Sequence, residues 1–98
     1  MYKSVILPFA KEDIKRVAKW YNKKQVGLGK RFTAEVRKTI KYIRRNPENI
    51  VTRYRSYKTS IVEVFPYMVH FTVNEDKKEI IIHAVFAMKQ SPDHWDNI

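Results

Sequence analysis

The spacing of apolar residues changes abruptly at Asn46-Pro47, and that change limits the chain to a two-part architecture. Before it, Ile14, Val17, Ala18 and Tyr21 fall at i, i+3, i+4 and i+7, one face of a helix with 3.6 residues per turn. Phe32, Val36, Ile40 and Ile43 repeat the pattern. The spacing predicts helices over 10–25 and 30–45. Glu12 and Asp13 are expected in the first turn of the first helix, where carboxylates complement the helix dipole. Val26-Gly27-Leu28-Gly29 holds both glycines of the protein and predicts a helix stop with a tight reversal. Arg44 and Arg45 suit the negative end of the second helix, and Asn46-Pro47 closes it.

Beyond Pro47 the period becomes 2, the signature of strands. The candidates are 53–57, 60–65, 68–73 and 79–87, with a corner at Phe65-Pro66-Tyr67 and a polar hairpin loop over 74–78. A further strand is expected at the start, where the apolar run after Tyr2 is closed by Pro8. That run is too short for the hydrophobic region of a signal peptide. The expected fold is α+β: a first strand, an antiparallel helical hairpin, then an antiparallel meander of three or four strands with the hairpin on one sheet face. Ninety-eight residues make a single domain, 1–98. In the last hairpin, pairing Phe71 with Ile82 puts Val69, Phe71 and Val73 on the core face with Ile80, Ile82, Ala84 and Phe86, because a one-residue slip would expose one of the sets. His70 and His83 then share the opposite face with Thr72, Ile81 and Val85.

Charge narrows the function. Twenty Lys+Arg against ten Asp+Glu give a formal charge of +10, which favours a polyanionic or acidic partner. Cysteine is absent, so disulfides, thiolate metal sites and cysteine nucleophiles are excluded. Two histidines without a nearby carboxylate make no zinc site, and no cofactor is expected. No segment approaches the ~20 apolar residues of a membrane helix, and a cytoplasmic protein is expected. Metal-free cleavage of RNA needs a base, an acid and cations on the phosphate. The residue types able to serve are Arg53, Arg55, Lys58, His70, His83 and Lys89. Arg53 and Arg55 project to one side of a strand, which suits phosphate contact and a solvated edge alike. The histidine pair fits either a mixed polar surface or a catalytic pair. Trp95, behind Ser91-Pro92, fits either a partner hot spot or a plug over the sheet edge. Trp20 and Tyr21 are expected in the hairpin core.

These residues in order resemble the RelE/ParE toxins across essentially the whole chain. The resemblance rests on Ala10, Asp13 and Ile14 at the first helix start, Trp20-Tyr21, and Gly29-Lys30-Arg31-Phe32. It continues through Ile43-Arg44-Arg45-Asn46-Pro47 and Val64-Phe65-Pro66-Tyr67 to Val85-Phe86 and Ser91-Pro92 followed by Trp95. The resemblance implies the toxin of a bacterial type II toxin–antitoxin pair, on the ParE-like side and silenced by a cognate antitoxin. ParE-like members act on DNA gyrase; RelE-like members cleave mRNA on the ribosome. Contact with nucleic acid through the antitoxin complex is also implied. Counting back from Pro92 puts Ala87 and Gln90 where ParE-like members commonly carry His and Arg, with Lys89 as a neighbouring cation. No tyrosine follows Tyr67, whereas the nucleases tend to end on a catalytic tyrosine. The expectation is therefore a toxin that blocks its target by binding, with Arg53, Arg55, Lys89, Gln90 and Trp95 as contact residues. An mRNA endonuclease and a degenerate toxin kept for antitoxin binding are the alternatives.

Overall fold

A computed structural model describes residues 1–50, 52–54 and 56–88, the side chains of residues 49 and 52–54 excepted. Strand β1 (Lys3–Ile6) leads into helix α1 (Pro8–Lys24) and helix α2 (Leu28–Arg45). A single turn of 3-10 helix (Pro47–Asn49) follows, then β2 (Thr52–Tyr54), β3 (Tyr57–Val62), β4 (Tyr67–Asn74) and β5 (Glu79–Ala87). The sheet order is β1-β5-β4-β3-β2. Strands β2 to β5 form the expected antiparallel meander, and β1 joins β5 in parallel to give a mixed sheet.

Both helices lie against one face of the sheet. Ala10 and Val17 of α1 and Phe32, Val36, Ile40 and Ile43 of α2 form one core with Val62, Phe65, Val69, Phe71, Ile80, Ile82 and Val85. Phe71 pairs with Ile82 as the apolar pattern requires, and both are fully buried. Beyond that pair the expected alternation breaks. The register shifts between His70 and Phe71, so that His70 faces Ala84 and Val69 faces Val85. One extra residue in β5 forms a bulge, which returns the next side chain to the other face. Val85 therefore enters the core beneath the helices, while Ala84 and Phe86 join the far face, opposite to expectation.

Three local expectations also change. The helix α1 begins at Pro8, so its first turn holds no acidic residue, and Asp13 lies within the helix and is buried. Only Gly27 makes the reversal, at φ 92°, with its N–H donated to Asn22 Oδ1 at 2.9 Å. Gly29 sits inside α2, where an added Cβ would strike the Ala18 carbonyl oxygen, so its role is to let the helices approach. The third strand starts at Tyr57, and the turn before β4 spans residues 63–66. The far end of α2 is tied to β1: Tyr2 N–H donates to the Arg44 carbonyl at 3.1 Å, and Arg44 Nε donates to the Tyr2 carbonyl at 2.8 Å.

Candidate functional site

Among the described residues, two surfaces bring chemistry-bearing side chains together. The first is the sheet face turned from the helices. Strand side chains alternate, so His70 and Thr72 of β4 share this face with His83 of β5, two residues past Ile81, the partner of Thr72. The Tyr57 ring lies against both imidazoles, with centroids 4.4 Å from His70 and 5.0 Å from His83. His83 Nε2 and the Thr72 hydroxyl share a hydrogen bond of 2.8 Å. His70 is only 1% exposed and also meets the Phe86 ring at 5.8 Å. Burial, assisted by the neighbouring His83, lowers its pKa to about 4, and burial lowers that of His83 as well. Both rings are therefore neutral at pH 7. The face brings the two histidines together as expected, but His70 is enclosed and out of reach of a substrate phosphate.

Lys58 takes no part in this face. Its register partner is Phe71, on the helix side, and its ammonium donates to the Pro47 carbonyl at 2.8 Å. It ties β3 to the first residue of the 3-10 turn. Arg53 belongs to β2, but its side chain lies outside the described residues, as do Arg55, Lys89, Gln90 and Trp95. No group of three or more metal-binding side chains occurs among the described residues.

The second surface is a groove along the helical hairpin. Ile6, Ile14, Ala18, Val36 and Ile40 supply its apolar lining, while Lys11, Lys15 and Arg37 stand at its rim around about 460 Å³. Ala18 and Thr33 continue it into a cleft with Lys19, Asn22, Gly29 and Lys30. The lining thus brings five cations and no carboxylate to a strip of aliphatic side chains. The sequence places the antitoxin in a groove between the helices and the sheet, extending towards Arg53 and Arg55; the groove found runs along the hairpin and meets the sheet at Ile6 of β1. Val36 and Ile40, expected in the core, are buried there and form its floor.

Sequence reasoning missed Asp13. Its Oδ2 accepts the N–H of Val85 at 3.0 Å, just past the bulge, and its Oδ1 accepts from Arg16 at 2.9 Å. Past Ile6 the first strand no longer runs beside β5, and the Asp13 carboxylate supplies the acceptor there.

The family model describing the ParE toxin of the parDE type II toxin–antitoxin system matches residues 5–92. This chain belongs to the ParE toxin family. Three solved structures share the toxin's fold at low identity. A chain of the chromosomal ParDE system from P. aeruginosa superposes with a TM-score of 0.76 at 16% identity, covering 89% of this chain and 96% of that one. The isolated E. coli RelE toxin gives 0.68 at 13% identity, over 99% and 95%. A chain of the RelBE2 toxin–antitoxin complex from Mycobacterium tuberculosis gives 0.65 at 14% identity, over 88% and 96%. No curated protein sequence matches the toxin significantly. No helix among its described residues is long and apolar enough to cross a membrane.

Proposed function

We propose that this ParE-family toxin inhibits DNA gyrase by binding it, and that a cognate antitoxin silences the toxin from the hairpin groove. The observation that carries the binding reading is the state of the polar side chains. His70 is enclosed, His83 is held by Thr72, and Lys58 is spent on the Pro47 carbonyl. Among the described residues these side chains offer no exposed acid–base pair with a cation beside it. The groove supports the antitoxin half. An aliphatic floor rimmed by Lys11, Lys15 and Arg37 suits an amphipathic segment carrying both apolar anchors and carboxylates. Such a segment folds on contact and offsets its ordering entropy against the area it buries.

Induced expression with and without the cognate antitoxin tests this function. Filamentous cells with DNA damage, rescued by the antitoxin, are the expected result. Prompt translation arrest with cut mRNA would replace the binding reading with the endonuclease. Absence of any growth defect would leave a degenerate toxin.

A further inference from the structure

Val64 lies in the turn between β3 and β4 at φ 75°, the left-handed region, and is 68% exposed. A β-branched residue is costly there, and glycine would be at ease. Its neighbour Phe65 is buried and anchors the turn to the core, so the fold gives a reason for Phe65 but none for a valine beside it. Backbone strain retained at an exposed apolar side chain is the kind found at contact sites.

The surroundings agree. The Tyr21 ring meets Phe65 at 4.9 Å and Trp20 at 5.0 Å, which brings Trp20, 51% exposed, to the same end of the molecule. Trp20 was expected in the core, yet only Tyr21 is packed there, among Phe32, Phe65 and Tyr67. Met88, also exposed, donates its N–H to the Pro66 carbonyl at 2.9 Å and so adjoins the turn. Cations ring this end. Lys23 and Lys24 close α1, and the Lys24 ammonium stands 4.9 Å from the Trp20 ring centroid. Lys30 and Arg31 open α2. The turn's one carboxylate, Glu63, is matched by Lys38 at 4.0 Å.

We propose that the turn tip, with Val64 and Trp20 as apolar anchors inside this ring of lysines, is the face by which the toxin engages an acidic protein surface on its target. It shares only Lys30 with the hairpin groove and its cleft, so target and antitoxin contact the toxin at separate places. The inference rests on the reading that the toxin acts by binding.

The full-length chain tests it through induced growth inhibition, thermal midpoint and antitoxin affinity. Val64→Gly should raise the thermal midpoint, weaken growth inhibition at least tenfold and leave antitoxin affinity within twofold. A charge-reversed variant, Lys23→Glu with Lys24→Glu, should weaken inhibition similarly. Inhibition by Val64→Gly equal to that of the unaltered toxin would overturn the face, as would a lowered thermal midpoint. Full inhibition by the charge-reversed variant would overturn the acidic partner. Messenger cleavage on induction would instead overturn the binding reading itself, whatever Val64→Gly does.

Discussion

His70 stands in β4 with its ring enclosed by Tyr57 and Phe86, where water is scarce and a positive charge costly. Its pKa of about 4 in the folded chain lies below the ordinary 6.5, so between these values the unfolded chain binds the proton and the folded one does not. Stability is therefore full above pH 6.5, falls as the pH drops through this window, and the loss is complete below about 4. The lowered pKa of His83 acts in the same direction. The shift in His70 corresponds to about 3 kcal/mol at most. Urea midpoints measured from pH 7 to 4 should fall, and a His70→Leu variant should fall less. An equal fall in both would show that His70 contributes nothing to acid sensitivity. The common face of His70 and His83 was legible, because side chains two apart on a strand point alike. The enclosure of His70 was not, since it depends on rings from the two flanking strands, Tyr57 of β3 and Phe86 of β5. Lys58 eluded the sequence in the same way. Its partner is the Pro47 carbonyl, which also accepts the Ile50 N–H in the 3-10 turn, and no spacing announces that contact.

At the scale of elements, the two helices and the Phe71–Ile82 register could be read directly, because a strong apolar period has one burial solution. The bulge could not. The run Ile80-Ile81-Ile82-His83-Ala84-Val85-Phe86 is apolar on both parities, so an extra residue leaves no mark on the pattern. The structure reveals it through Asp13, whose carboxylate joins α1 to β5 beyond the bulge. Replacing Asp13 by Ala strands the buried Val85 N–H, a loss of about 1–3 kcal/mol. Asp13→Asn keeps an acceptor and should cost less. Urea unfolding at neutral pH measures both, and an unchanged midpoint in Asp13→Ala would mean that the contact does not hold the helix to the strand. The start of β3 was misplaced because residues 53–60 are polar and lack an alternating pattern. Gly29 serves the close approach to Ala18 and not the helix stop, a difference hidden in the sequence because a packing glycine and a turn glycine look alike there.

For the whole molecule, the +10 charge acquires a location in the cation-rimmed groove and in the lysines around the Val64 turn. Charges at a rim accelerate encounter, while buried aliphatic contacts hold the complex. Association with an acidic antitoxin should therefore slow steeply with added salt, and dissociation should hardly change. Stopped-flow mixing across ionic strength measures both rates. An association rate indifferent to salt would detach the charge from antitoxin capture. The central claim, inhibition by binding, is tested most directly by DNA supercoiling with purified gyrase, the full-length toxin and its antitoxin. The account predicts dose-dependent loss of supercoiling that is restored by stoichiometric antitoxin, with RNA left intact in the same mixture. Undiminished supercoiling at a large molar excess of toxin would contradict it.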